Sequence, residues 1–379
     1  MRVEQSVWRP GSGWEHRGDQ ALAERAQLAL VFAAPELMRQ PGLLQQVSAR
    51  LPRACIAACS TAGEIAGDQV LDGAMVVSAI EFAHTRVRGA CVSLRECGSS
   101  LEAGARLARA LRGEGLRHVL VLSDGLAVNG SELVTGLASE LEPGVAVTGG
   151  LSGDGQRFGE TLVALGSASA SGQIVAVGLY GDRLGIGFGS LGGWDPFGPE
   201  RRITRSAGNV LYELDGQSAL ALYKKYLGEY AEGLPATGLL FPLSLRGEHG
   251  GSGVVRTILG VDERQQSMTF AGDMPEGGFA RLMKANFDRL IDGATGAAQA
   301  SQQALREGPA DLAILISCVG RKLVLQQRVE EEVDGVRQVL GPKPVFAGFY
   351  SYGEIAPFAP ATRCELHNQT MTVTTLSER

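Results

Sequence analysis

The sequence predicts an α/β protein of two tandem domains, with mixed, strand-rich sheets flanked by helices and an internal duplication. Three observations carry this reading. Short apolar runs at residues 28–32, 55–59, 312–316 and 345–350 alternate with segments whose apolar residues recur at helical spacing, as buried strands and their crossover helices require. Glycine is abundant, at 52 of 379 residues, and so many positions free to adopt positive φ imply many tight turns between short elements. The phrase Gly-Glu-Ile closes an apolar strand twice, at Gly63-Glu64-Ile65 and at Gly353-Glu354-Ile355. The length exceeds what one core usually serves, giving an N-terminal arm at 1–24 and domains at 25–215 and 216–379.

Residues 1–24 are polar, with Trp8, Trp14 and His16 among Gly, Glu and Arg, and are expected to lie as an arm across a domain. Residues 28–32, 35–51 and 55–59 read as strand, helix and strand, a parallel pair with a right-handed crossover. Strands at 74–82 and 86–94 are expected to form a hairpin around His84, making the sheet mixed. Leu101, Ala105, Ala108 and Leu111 share one face of a helix begun by Ser99 or Ser100, residues 118–122 form a strand, and Asn129 caps a helix to about Leu141. Residues 145–147 run into a glycine-rich turn at 148–155, and strands with glycine turns fill 161–205.

A helix at 217–226 marks the domain change, followed by strands at 237–243, 254–261 and 267–270. Pro275 is expected to start a long helix with Leu282, Met283, Asn286, Phe287, Leu290, Ile291 and Ala294 on one face. A strand at 311–317, a helix striped by Leu325, Val329, Val333, Val336 and Leu340, and a strand at 344–350 follow. The last strand, 368–376, alternates in character and is expected to be half-exposed. The order strand, helix, strand, Gly-Glu-Ile, strand therefore occurs twice. A pseudo-twofold pairing of the copies would set Glu64 and Glu354 on a shared cleft.

Composition excludes several classes. Hydrophobic residues make up 44% and charged residues 20%, as in a globular chain, and a net charge of −6 with no basic cluster argues against nucleic acid and anionic membrane surfaces as partners. The start lacks the apolar core of a signal peptide and no window approaches a membrane span, so a cytoplasmic protein is expected. The cysteines, Cys55, Cys59, Cys91, Cys97, Cys318 and Cys364, form no C-x-x-C pair and read as reduced, packed thiols.

Five stretches taken together carry a family resemblance: Cys59 to Ile65, Thr148 to Asp154, Met268 to Gly277, Gly348 to Pro357 and Leu366 to Met371. In these the chain resembles the FIST sensory proteins from about residue 25 onward. The resemblance implies an N-terminal and a C-terminal FIST domain, a small-molecule ligand, and an output through a separate partner protein, a histidine kinase or a cyclic-di-GMP enzyme. Some bacterial members bind haem and sense nitric oxide, so the resemblance also admits haem-based nitric-oxide sensing. The alternatives are a sensor of amino acids or another small metabolite without haem, a hydrolase using Cys59 or Ser60 with His367 and Glu354, and an adaptor with no ligand.

Candidate site residues follow from the same stretches. His367 is the candidate haem ligand, since it lies in a family motif and haem iron takes an axial histidine; a hydrogen-bonded structural histidine is the competing reading. His16, His84, His118 and His249 lie outside the strongest motifs. Glu64 and Glu354 each follow a glycine at a strand end, where a carboxylate binds a ligand amine or caps backbone N–H groups. Ser60, Thr61 and Asp154 sit in the motif turns beside them. Tyr350, Ser351 and Tyr352 offer hydroxyls and aromatic faces to a small polar ligand. Arg256, inside an apolar strand, needs either an internal carboxylate or a bound anion as partner. The chain carries no phosphate-binding loop, nucleophile elbow or zinc-protease motif, so no enzyme activity is expected.

Overall fold

The continuous apolar runs become the centres of sheets in a computed structural model, which describes residues 1–18, 21–247, 253–305, 308–357 and 364–379. Among these residues the fold is α/β with four sheets, of seven, six, six and nine strands. Three of the sheets repeat one topology. In the first, strands Leu28–Ala33 and Cys55–Ser60 are parallel across a helical crossover, and Met75–Glu81 returns antiparallel to the Leu28 strand. In the second, Leu116–Ser123 and Ala146–Leu151 are parallel across helix Gly130–Glu140, and Gln173–Tyr180 returns antiparallel. In the third, Leu312–Cys318 and Val345–Ser351 are parallel across helices Val319–Leu325 and Val329–Leu340, and Met371–Glu378 returns antiparallel.

The duplication read from the sequence is thus part of a threefold repeat. After its second parallel strand, each unit sends the chain into a neighbouring sheet. Glu64–Ala66 pairs with the Val345 strand, Gly353–Pro357 with the Ala146 strand, and Val163–Leu165 with the Cys55 strand, which closes the cycle. The two Gly-Glu-Ile phrases are these crossing strands in the first and third units. The second unit lacks the Gly-Glu-Ile phrase: Gly153-Asp154 stands where Gly-Glu stands in the others, and its crossing strand begins only at Val163. The expected pseudo-twofold is corrected accordingly: Glu64 and Glu354 lie in different sheets.

Several local expectations are corrected. Residues 1–17 are no irregular arm: Arg2–Arg9 and Gly13–Arg17 form a hairpin that extends the first sheet along the Met75 strand. The helix at 35–51 is two, Pro35–Arg39 and Leu43–Arg50, broken where Pro41 precedes Gly42 at φ 83°. Met75–Glu81 and Arg86–Ser93 belong to different sheets and form no hairpin. Thr148 to Leu151 continue a strand rather than a turn.

The expected strand at 237–243 is a 3-10 helix, Ala236–Leu240, followed by strand Leu243–Arg246. The helix placed at Pro275 starts only at Phe287. Phe279–Ala285 is a strand, in which buried Ala280 and Leu282 flank exposed Arg281. The final strand is buried on both faces, since it lies between Leu184–Leu191 and Leu312–Cys318 and is covered by helix Phe287–Leu305. Two of its threonines find partners inside: Thr372 and Ser190 hydroxyls meet at 2.9 Å, as do those of Thr375 and Ser301.

The nine-stranded sheet takes its strands from Trp194–Pro196 to Phe279–Ala285 and packs on its own core of Ile203, Leu211, Leu220, Tyr223, Met268 and Phe270. Its strands Arg201–Ala207 and Val210–Leu214 come from before residue 216, and the second and third repeated sheets likewise draw strands from both sides of that position, whereas the first lies wholly before it.

Candidate functional site

The crossing strands bring the carboxyl ends of parallel strands together, and a cavity of about 690 Å³ opens there. Ala34 and Pro35 follow the Leu28 strand, and Thr61, Ala62, Gly63 and Glu64 follow the Cys55 strand. Asp154 to Arg157 follow the Ala146 strand, while Val319, Lys322 and Leu323 belong to the helix after the Leu312 strand. Loops at strand carboxyl ends are where open α/β sheets place ligands, because each parallel strand delivers its successor loop to the same edge. The volume suits a small molecule.

Glu64 forms part of the cavity wall. It is 1% exposed, its Oε1 meets the Thr61 hydroxyl, and its Oε2 accepts the Ala74 N–H at 3.1 Å. Burial pushes its pKa up to about 8 against the opposing pull of these hydrogen bonds and of Lys322. Ala74 immediately precedes the Met75 strand, so Glu64 caps the start of its unit's returning strand. Glu354 repeats the arrangement in the third unit. The Ser351 hydroxyl meets its Oε1 at 2.5 Å, and its Oε2 accepts the Thr370 N–H at 3.1 Å and the Thr370 hydroxyl at 2.9 Å, just before the Met371 strand. Burial again pushes the pKa to about 8. Glu354, fully buried, is outside the cavity lining, so the shared cleft is corrected to one cavity beside Glu64 and a sealed twin at Glu354.

Asp154 lines the cavity. Its carboxylate accepts the N–H groups of Phe158, Gly159 and Glu160 at 3.0, 2.8 and 3.0 Å and the Tyr352 hydroxyl. Tyr352 stacks on Phe158 with ring centroids 4.9 Å apart. It therefore acts from behind the wall, as do Tyr350 and Ser351; none of the three lines the cavity. The Tyr350 hydroxyl donates to Glu332 Oε1 at 2.7 Å, where burial and that carboxylate push its pKa well up. Glu332 also accepts the Ser317 hydroxyl and pairs with Arg321 at 2.8 Å, both side chains being fully buried. The expectation that Tyr350, Ser351, Tyr352 and Glu354 form a pocket wall is corrected: all four are buried, along strands Val345–Ser351 and Gly353–Pro357 and the residue joining them, and none lines the cavity.

Ser60 is buried, donating to the Gly153 carbonyl and accepting from the Leu162 N–H, both at 2.9 Å, so it stitches the first two units together. Arg256 lies away from the cavity. Its guanidinium donates to the carbonyl of Leu366 at 2.9 Å and to the Ser131 hydroxyl at 3.2 Å, and desolvation lowers its pKa to about 10. The partner sought in the sequence is thus largely backbone carbonyl rather than a carboxylate pair or a cavity anion. His367 is 2% exposed and its Nε2 meets the Ala356 carbonyl at 2.8 Å; burial lowers its pKa to about 4. It does not line the cavity, and this position does not fit a haem ligand. Among the described residues no group of three or more His, Cys, Asp and Glu is placed to hold a metal ion. His118 is buried with Nε2 at 2.9 Å from the Thr148 hydroxyl, and His249 lies outside the described residues.

Sequence reasoning missed the charged mouth. Lys322 donates to the Ala62 carbonyl at 3.0 Å, pairs with Asp72, and sits 5.4 Å from the Tyr350 ring centroid. Arg157 pairs with Glu36 across the other side. Asp72 is 78% exposed, whereas Lys322 is 15% exposed. Gly63, at φ 133°, lies directly against the Lys322 ammonium, and a Cβ there would have to displace it.

The fold and cavity define a three-unit α/β scaffold with a polar, ligand-sized chamber where its strand ends meet. The chain belongs to the FIST family: the FIST N domain model matches residues 27–217 and the FIST C domain model residues 219–357. FIST domains are signal-transduction sensor domains. The chain is 27% identical over 234 residues to Uncharacterized protein Mb0898c of Mycobacterium bovis and to Uncharacterized protein MT0897 of Mycobacterium tuberculosis. Each alignment covers 57% of this chain and 57% of the relative, so the match spans little more than half the length of these proteins. Among the described residues no helix is long and apolar enough to cross a membrane.

Proposed function

We propose that this protein is a cytoplasmic small-ligand sensor whose ligand, a polar metabolite of amino-acid size, occupies the cavity bounded by Thr61, Glu64, Asp154 and Lys322. The output passes to a separate partner, of the histidine kinase or cyclic-di-GMP enzyme class. The observation that carries this reading is the convergence of all three units on one polar chamber. Binding there bridges segments that are far apart in sequence, and a ligand favouring one arrangement of them shifts the population a partner reads.

The metabolite form is favoured over the haem form by the position of His367, whose ring nitrogen is taken by a backbone carbonyl. An absorbance spectrum of protein from haem-supplemented cells, with and without nitric oxide, separates the two: a Soret band that shifts with nitric oxide would restore the haem form. The hydrolase reading is disfavoured because Ser60 is engaged on both sides and burial pushes the Cys59 thiol well up. Ester or amide hydrolysis lost in Ser60→Ala or Cys59→Ala would restore it.

The direct test is a thermal-shift screen of amino acids and other small metabolites on the wild type and on Leu323→Trp, which fills the cavity from the helix Val319–Leu325. A ligand should raise the wild-type melting temperature with concentration and leave the variant unchanged. Equal stabilisation of both proteins would contradict the placement.

A further inference from the structure

The twin carboxyl sites differ in one respect that bears on the ligand. At the sealed site Ser351 Oγ meets Glu354 Oε1 at 2.5 Å and the Ser317 carbonyl at 3.3 Å, so when Glu354 carries a proton and donates to Ser351, the serine hydrogen still has an acceptor. At the cavity site Thr61 Oγ1 meets Glu64 Oε1 and receives the Gly63 N–H at 3.3 Å. Among the described residues no other acceptor is within reach of the Thr61 hydroxyl. When Glu64 donates to Thr61 instead, the threonine hydrogen is released for an acceptor in the cavity that Thr61, 2% exposed, lines. The Lys322 ammonium, held over Gly63, faces the same corner and is occupied by the largely exposed carboxylate of Asp72.

We propose that the Thr61 hydroxyl and the Lys322 ammonium form an anion-binding corner, in which the carboxylate of a small carboxylic acid takes the place that Asp72 now holds on Lys322. The proposal rests on the cavity being the ligand site and adds the chemistry of the group it reads. A carboxylate accepts from both donors at once, and charge-assisted bonds of this kind are roughly twice as strong as neutral ones. Asp72 is the solvent-exposed half of that pair and its hold on Lys322 is screened by water, so an incoming carboxylate can exchange with it. The groups facing Glu64 are Lys322 from the helix Val319–Leu325, Asp72 from the turn before the Met75 strand and Cys59 from its own unit's Cys55 strand. Burial raises the Glu64 pKa to about 8, which favours its neutral form, and a neutral Glu64 neither repels the anion nor holds the Thr61 hydrogen.

The test is an NMR titration with sodium acetate, with acetamide as the neutral isostere and inorganic phosphate as the other anion, at matched ionic strength. Saturable acetate binding without acetamide binding is expected. Thr61→Val and Lys322→Met should weaken it about tenfold or more. Thr61→Ser should restore it, Ser351→Ala at the sealed twin should leave it unchanged, and Asp72→Asn should tighten it by up to about fivefold. Acetate binding that survives both Thr61→Val and Lys322→Met overturns the proposal. So does equal binding of acetamide, or binding of phosphate in place of acetate. If a screened metabolite still binds the wild type and is lost in Leu323→Trp, only the anion corner fails; if no metabolite distinguishes those two proteins, the cavity reading fails with it.

Discussion

Glu354→Gln isolates what a buried neutral carboxyl contributes to the fold. The folded pKa is raised from 4.5 to about 8, so the folded state binds the proton more tightly than the unfolded chain. The associated stability is full below about pH 4.5 and is lost as pH rises through about 8. Within that window each pH unit removes about 1.4 kcal/mol, and the whole shift corresponds to on the order of 5 kcal/mol. Glutamine reproduces the protonated state, because its amide N–H₂ donates to Ser351 while its carbonyl accepts from Thr370. The variant should therefore lose this carboxyl's share of the pH dependence and keep its packing. The assay is urea unfolding of wild type and variant at several pH values from about 5 to 8. The variant's stability should fall less steeply by about 1.4 kcal/mol per pH unit, with the two proteins closest at the acid end. Parallel profiles would refute the assignment of a neutral Glu354.

Other perturbations have equally definite outcomes. Glu332→Gln leaves the fully buried Arg321 without its charge partner and should cost about 3–5 kcal/mol in denaturant unfolding. Gly63→Ala forces a Cβ against Lys322 Nζ at positive φ; a loss of about 1–3 kcal/mol is expected, together with weaker anion binding in the NMR titration. Arg256→Met strands the Leu366 carbonyl in the interior and should cost about 1–3 kcal/mol while leaving ligand-induced thermal shifts intact, since Arg256 is remote from the cavity lining.

The strands buried on both faces were legible because their apolar runs admit little else: residues 28–32, 55–59 and 312–316 all fall in sheet centres. Hidden was how the strands are shared. A hairpin between 74–82 and 86–94 is the simplest local pairing, yet Arg86–Ser93 finds Gln173–Tyr180, and sequence spacing does not encode that choice. The strand Phe279–Ala285 was lost because its leucine and methionine also fit the stripe of the helix that follows. For the site, the motif turns led to Thr61, Glu64 and Asp154. They misplaced Glu354, because identical Gly-Glu-Ile phrases enter different surroundings, one beside a chamber and one sealed in the interior. Lys322, Asp72, Glu36 and Arg157 carry no motif, and only the fold brings them to the same mouth.

Whether the ligand sits in the chamber at the meeting strand ends is decided by equilibrium dialysis of wild type and Leu323→Trp against a cell metabolite extract, followed by mass spectrometry of what each protein retains. A small carboxylic acid should be retained by the wild type and absent from the variant. The same compounds retained equally by both proteins would contradict it.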